Sequence, residues 1–210
     1  MNSPQVQVSG TTFNRILWLY GFYALLSHTA YLVGYYWLPE GFMRGSPQAS
    51  GGQVVAAAQS FWGQFGLTLL FNLGVVTAVS VVLNFNQVKG VPVGYVYPLF
   101  LAVTSGLIAG TNSFIASDLS RYNARDGMAL ALSIGNLEMF GYVVVIASTV
   151  KFGVYQYRSW WRWSGDWKPT KVMNLRDVRL SGRELLCLAT GILLIIVGAY
   201  RETLMAFGML

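Results

Sequence analysis

The chain has 210 residues, of which 54% are hydrophobic and only 10% are charged. Because a soluble globular domain carries roughly 25% charged residues, this composition excludes an ordinary water-exposed surface and favours a membrane protein. The net charge of +6 could suggest nucleic acid as a partner, but eight of the 14 basic residues fall in one segment, 151–183. We therefore interpret the charge as a determinant of membrane topology, and we expect the lipid bilayer rather than nucleic acid to be the partner.

Five apolar segments predict an all-α fold, a polytopic membrane bundle of about five transmembrane helices in a single domain, 1–210. Each segment exceeds the roughly 20 residues that a helix needs to cross a hydrocarbon core about 30 Å thick. Turn-forming residues follow the first two segments, and a capping-box pattern, Ser181-Gly-Arg-Glu184, precedes the last. The predicted spans are 13–38, 61–84, 93–116, 127–150 and 185–207.

The basic residues predict the orientation of these spans. If the loop 151–183 is cytoplasmic, then Arg15 and Lys89 also fall inside, whereas Arg44, Arg121 and Arg125 fall outside. Cytoplasmic loops of membrane proteins carry an excess of Lys and Arg. The sequence therefore predicts a multi-pass protein of the plasma or inner membrane, with its N-terminus inside and its C-terminus outside.

The cytoplasmic loop contains a dense aromatic and basic run. Indole and guanidinium groups both suit the boundary between lipid and water, so the run is interpreted as an interfacial anchor. A specific docking site for a partner protein is the alternative. The residues of this predicted anchor are Trp160, Trp161, Arg162, Trp163 and Trp167.

Three charged residues fall within predicted spans, where a charge is costly and needs a reason. Glu138 lies in the middle of the fourth span, and Arg201 and Glu202 lie in the last third of the fifth. At about 1.5 Å rise per residue, the predicted depths of Glu138 and Arg201 differ by roughly 6 Å, which an arginine side chain can bridge. We expect a Glu138–Arg201 ion pair that fixes helix packing, with a proton or ion relay or a partner-binding patch as the alternative. Glu202 is expected to point elsewhere, toward the outer interface.

Uncharged polar side chains fall at neighbouring depths: His28 in the first span, Asn72 in the second and Asn112 in the third. Hydrogen bonds between membrane helices contribute about 0.6–2 kcal/mol each, so these residues are candidates for an intramembrane polar network with Glu138 and Arg201. His28, the only histidine, could ligate a haem or a chlorophyll magnesium. A packing histidine is the simpler interpretation, and no cofactor is expected.

Small residues in the third span, Gly106-Leu-Ile-Ala-Gly110, form a motif that lets two membrane helices pack closely. Signatures of hydrolases, metalloproteases and nucleotide-binding enzymes are absent from the sequence. One cysteine and one histidine cannot provide a Cys/His metal site. We therefore expect no catalytic residues, no metal site and no enzymatic activity.

Three passages resemble the stage II sporulation protein M family of five-span membrane proteins. They are Phe71-Asn72 followed by Gly74, the segment Gly135-Asn-Leu-Glu138-Met-Phe-Gly-Tyr142, and the apolar run from Gly191 to Glu202. The resemblance covers residues 60–210. One departure is Ile134, which stands where the family has a histidine, so a polar network that used that histidine would be altered here.

The resemblance implies a non-enzymatic membrane component, since the founding member acts in a septal peptidoglycan-remodelling complex. By this resemblance, Glu138 and Glu202 correspond to site positions of the family. The correspondence is weaker for Asn72 and Asn112. The leading hypothesis is therefore a non-catalytic membrane subunit or scaffold that assembles with other membrane proteins or with further copies of itself. Two alternatives are a permease-like transport subunit that uses an intramembrane carboxylate, and a pigment- or haem-binding subunit.

Overall fold

The structure, a computed structural model, describes residues 10–114, 122–159 and 167–209. Most of the described chain is helical. The predicted anchor residues Trp160, Trp161, Arg162 and Trp163 lie outside the described residues, as do the last two residues of the predicted third span. The seven α-helices of the described ranges are α1 (Thr12–Trp37), α2 (Pro47–Ala56), α3 (Phe61–Leu69), α4 (Ala78–Leu83), α5 (Val96–Gly110), α6 (Ala124–Ser148) and α7 (Gly182–Ala206).

Four helical segments are long and apolar enough to cross a membrane: Thr12–Trp37, Phe61–Leu83, Val93–Gly110 and Gly182–Ala206. The second of these joins α3 to α4 through a π-helical segment, Leu70–Thr77, and the third begins with a 3₁₀ turn, Val93–Tyr95. α6 becomes a fifth candidate span if its two arms are counted together, because it bends by 52° between Ser133 and Gly135. Serine and glycine at this position fit the usual causes of a sharp helix bend.

Side-chain caps explain where several helices begin. The hydroxyl of Ser60 accepts a hydrogen bond from Gly63 N at 3.1 Å, at the start of the second apolar segment. The capping box predicted before the last span is confirmed: Ser181 N donates to Glu184 Oε2 at 2.8 Å, and Glu184 N donates to Ser181 Oγ. These contacts satisfy N–H groups that have no partner within the helix.

The C-terminal end of α5 comes earlier than the sequence predicted. The helix ends at Gly110, and Asn112 adopts a left-handed backbone with a φ of 52°. Asparagine is one of the residues that tolerate this conformation at the end of a helix. The chain turns there because Gly41 N donates to Thr111 O at 2.7 Å, which ties the end of α5 to the loop that follows α1.

The second half of α6 is the centre of the bundle. Residues 141–150 are all buried, so this part of the helix is enclosed on every side. The core around it includes Ile16 and Leu19 of α1 and Ile195 of α7. α6 and α7 are antiparallel, with Val145 against Gly191 and Glu138 against Gly198, whereas α1 and α5 run in the same direction.

A small four-stranded sheet at one end of the bundle was not predicted. The strands are β1 (Asn86–Val88), β2 (Val91–Pro92), β3 (Tyr155–Tyr157) and β4 (Thr170–Lys171), in the order β2-β1-β3-β4. β1 and β3 are parallel, with Asn86 opposite Tyr155. We call this end of the molecule the sheet end, and the end that contains Gly41 and Thr111 the opposite end.

Buried amides link the sheet to the helices. Asn84, which follows α4 and is fully buried, donates from Nδ2 to Ile146 O at 2.9 Å and to Thr149 Oγ1 at 2.8 Å. Gln87 of β1 donates from Nε2 to Val150 O at 3.0 Å. Ile146 O belongs to the last turn of α6 and Val150 O to the 3₁₀ turn that follows it, and these two side chains give both carbonyl groups an additional donor.

Candidate functional site

Two acidic side chains from different helices lie together in the interior of the bundle. Glu138 of α6 is only 5% exposed. It lies against Gly198 of α7, where a Cβ atom would collide with Glu138 Cγ. Glu202 is one helical turn beyond Gly198 and therefore on the same face of α7. The carboxyl groups of Glu138 and Glu202 are close enough for their charges to interact, and we call them the carboxyl pair.

One oxygen of the carboxyl pair has no hydrogen-bond partner in the described structure. Glu138 Oε1 is fully buried and makes no hydrogen bond, and Asn72 Nδ2 is in the same condition. Asn72 is nevertheless close enough to Glu138 to act on its carboxyl group. Two neighbouring side chains of the site thus each hold a buried polar atom without a hydrogen-bond partner in the described structure. Such groups are uncommon in folded proteins and point to strain or to a function.

Asn72 belongs to the π-helical segment of the second span. Thr77 donates from Oγ1 to Asn72 O at 2.6 Å, five residues back, which is the spacing of a π-helix. π-helical turns inside α-helices are rare and occur frequently at functional sites. The site thus combines α6, α7 and the irregular part of the second span.

The predicted Glu138–Arg201 ion pair is not formed in the described residues. The guanidinium group of Arg201 instead donates from Nη1 to the backbone carbonyl of Ser133, directly before the bend in α6. Glu202, which was expected to point elsewhere on α7 and toward the outer interface, is close enough to Glu138 for their charges to interact. The reason is the orientation of α7: successive residues are about 100° apart around a helix, so Arg201 and Glu202 cannot share a face.

His28 bonds within its own helix. Its Nδ1 lies 2.6 Å from Ala24 O, and because a carbonyl oxygen can only accept, Nδ1 carries the proton in this contact. The ring is partly buried, and its contact with Ala24 is local to α1.

Asn112 lies in the turn at the opposite end and not inside a span. Its Nδ2 donates to Glu40 Oε1 at 2.5 Å. Ser113, next to it, accepts from Met43 N at 3.0 Å. Asn112 thus connects the turns after α5 and α1, and its side chain is not part of the site formed by the carboxyl pair and Asn72.

The two glycines of the predicted packing motif face α1. A Cβ at Gly106 would collide with Ser27 O and approach Ala30 Cβ to 2.9 Å, and a Cβ at Gly110 would collide with Tyr31 O. Gly34 of α1 is equally close from the other side, because its Cβ would lie 3.1 Å from Leu107 O. These distances require small residues where α1 crosses α5.

A second pair of glycines, Gly141 and Gly191, brings α6 and α7 together. A Cβ on either residue would lie 2.9 Å from the carbonyl oxygen of the other. The sequence alone does not pair these two glycines, because their partner depends on the register between two helices.

Glu184, at the start of α7, forms an ion pair at the sheet end. Lys151 Nζ lies 2.7 Å from Glu184 Oε2, and Glu184 is only 4% exposed. The same oxygen also accepts from the backbone and hydroxyl of Ser181. Of the predicted anchor, Trp167 is described, and its ring lies 4.9 Å from that of Tyr157 between centroids.

In the part of the chain that the structure describes, no three His, Cys, Asp or Glu side chains are grouped so that they could hold a metal ion. No family model, no curated protein and no solved structure matches this chain.

Proposed function

We propose that this chain is a non-catalytic, multi-pass membrane subunit that works within a larger membrane assembly, with its sheet end in the cytoplasm. The observation that carries the proposal is the use of the buried polar groups at the sheet end. Asn84, Gln87 and Glu184 all hold helices or loops together, through bonds to the end of α6, to Lys151 and to Ser181. These bonds of the buried side chains at the sheet end stabilise the bundle, which is the role expected of a structural subunit.

The distribution of charge supports the proposed orientation. Both ends of the molecule carry exposed basic side chains, and the sheet end carries more of them among the described residues. Exposed Lys and Arg near the cytoplasmic surface attract anionic lipid headgroups. The exposed basic residues of the sheet end are Lys89, Lys151, Arg158, Lys168, Lys171, Arg176, Arg179 and Arg183; the described ones of the opposite end are Arg44 and Arg125.

Large apolar side chains on the outside of the bundle offer a surface for lipid or for a second protein. Trp18 on α1 is 71% exposed, and Leu186 on α7 is 68% exposed. The resemblance to the stage II sporulation protein M family supports the choice of a protein partner, because that family supplies components of membrane complexes.

A photo-crosslinking amino acid tests this proposal when it is placed at Trp18 or Leu186 in the native membrane. We expect a discrete crosslinked product, to another membrane protein or to a second copy of the chain. Ile195 is fully buried, and the same probe at that position is the control that should give no intermolecular product. Recovery of a free monomer alone, with no crosslink at either exposed position, would contradict the proposal.

The second candidate is a permease-like transport subunit. The unpartnered oxygen of Glu138 favours it, because intramembrane ionisable residues commonly lie on ion or proton pathways. In this case Glu138→Gln abolishes an ion-dependent flux in proteoliposomes while the protein remains folded. A variant that loses only stability, with the flux retained, would contradict the transport role.

A further inference from the structure

We infer that the carboxyl pair and Asn72 form a proton-binding site in the membrane interior, in which Glu138 and Glu202 share one exchangeable proton. This inference is independent of whether the chain is a subunit of an assembly or a transport component. It assigns a ligand, the proton, to a site whose polar groups are otherwise incompletely paired.

Among the residues that the structure describes, no cationic side chain acts on the carboxyl group of Glu138. The groups that act on it are Glu202 from α7 and Asn72 from the second span, and Tyr142 follows it by one turn on α6. Tyr23 of α1 and Tyr97 of α5 are the groups that reach Tyr142 from the remaining helices. None of these side chains is basic.

Arg201, the basic residue nearest to the pair along α7, is occupied by the Ser133 carbonyl. Two carboxylates placed together without a cation repel each other, and both lose their hydration in a bilayer. One proton held between the two carboxyl groups removes one of the charges and converts the repulsion into a hydrogen bond. The aspartic-protease dyad is a known case of two carboxyl groups that share a proton in this way.

Asn72 suits the remaining charge of a pair with one proton. Its buried, unpartnered atom is Nδ2, which is a donor, and the residue is close enough to Glu138, whose Oε1 is also unpartnered, to act on that carboxyl group. A donor at this position stabilises a carboxylate oxygen and disfavours a metal cation, which would require oxygen atoms on every side. These contacts therefore favour a proton over a sodium ion.

The two members of the pair differ in their access to the surroundings. Glu138 is buried, whereas Glu202 is only partly buried. Glu202 also lies within the last turns of α7, near the opposite end of the bundle. The proton therefore enters and leaves through Glu202, on the side of the membrane away from the sheet end.

Infrared difference spectroscopy on the full chain in lipid nanodiscs tests this inference. We expect the carbonyl band of one protonated carboxylic acid near neutral pH, a shift of that band in D₂O, and loss of the band in both Glu138→Gln and Glu202→Gln. Glu40→Gln is the matched control, because Glu40 bonds to Asn112 at the opposite end and should leave the band unchanged. A band that survives both substitutions in the carboxyl pair would overturn the inference.

Two further measurements do not depend on whether the glutamine variants fold. Wild-type protein with ¹³C-labelled glutamate carboxyl groups must show the isotope shift in the same band, and its absence would refute a protonated glutamate. Addition of sodium chloride at constant pH should leave the band in place. If sodium ions remove it, the site is a metal-cation site and the inference fails. The subunit proposal is tested separately by crosslinking and survives either result.

Discussion

Gly198 of α7 lies so close to Glu138 of α6 that the space of its missing side chain is filled by the Cγ of that residue. Any side chain at residue 198 must therefore displace either Glu138 or the whole of α7. Because α6 and α7 run antiparallel over most of their length, this contact sets the distance between them at the level of the carboxyl pair.

Gly198→Ala should destabilise the protein by about 1–3 kcal/mol, which is the usual cost of an extra methyl group in a tightly packed interior. The measurement is the free energy of unfolding of the purified protein in mixed micelles. Gly66→Ala is the matched control, since a Cβ at Gly66 meets nothing within 4 Å and alanine is the better helix former. Equal stability of the two variants would show that α6 and α7 are not in contact at Gly198.

The crossing of α1 and α5 gives a second prediction. Gly106→Ala should cost about 1–3 kcal/mol, because the added methyl group meets the backbone of Ser27 and the side chain of Ala30. Gly21→Ala lies on α1 with open space around its Cβ and should leave stability unchanged or raise it slightly. Thermal unfolding of both variants under identical conditions separates the two effects. A Gly106 variant as stable as wild type would exclude the close crossing.

Replacement of Asn84 tests how the sheet end is held. Asn84→Ala removes the Nδ2 group that donates to both Ile146 O and Thr149 Oγ1, although Ile146 O still accepts from Thr149. Each lost hydrogen bond costs about 0.5–1.5 kcal/mol, so a total loss of about 1–3 kcal/mol is expected. Asn174→Ala, which removes an exposed contact to Asp177, is the control and should change stability by less than about 0.5 kcal/mol. If both substitutions lower the free energy of unfolding by a similarly small amount, the hydrogen bonds of Asn84 do not hold the sheet end.

The ion pair between Lys151 and Glu184 should contribute measurably because one partner is buried. Lys151→Met leaves Glu184 with the Ser181 contacts alone, and we expect a loss of about 1 kcal/mol. A double-mutant cycle with Glu184→Gln isolates the interaction between the two side chains. A coupling energy near zero in that cycle would mean that Ser181 alone satisfies Glu184.

Chemical labelling can determine the orientation. With Cys187 replaced by alanine, Arg44→Cys at the opposite end should react in intact cells with a maleimide that cannot cross the membrane. Lys171→Cys at the sheet end should react only after the cells are opened. Both positions are exposed, so a difference in labelling reports the side of the membrane. The reverse pattern would invert the proposed topology.

Hydropathy was enough to locate the long apolar helices, because a membrane span requires a run of apolar residues whatever its neighbours are. The capping box at Ser181 was equally visible, since it depends on residues three positions apart. The bend in α6 was not predicted, because Ser133 and Gly135 also occur in straight membrane helices. The π-helical segment around Asn72 leaves no pattern that distinguishes it from an α-helix.

The carboxyl pair could not be predicted from the depth of its residues in the membrane. Arg201 and Glu202 are neighbours in sequence and differ little in depth, so the sequence could not decide which of them meets Glu138. In the structure, Gly198 packs against Glu138. Glu202 is four residues further along α7 and therefore lies on the same face of the helix as Gly198, whereas Arg201 is turned about 100° away from Glu202. The strands escaped prediction for another reason, since segments of two or three residues are too short to show an alternating pattern.

The parallel pairing of β1 with β3 has a consequence for biosynthesis. β1 leaves the ribosome long before β3, and the α5 and α6 segments lie between them in the chain. β1 therefore cannot pair with β3 while the early segments are being inserted. Asn84 likewise cannot bond to Ile146 until the end of α6 has been translated. Until β3 is translated, β1 can pair only with β2, whereas α1 and α5 are already complete and can pack through Gly106.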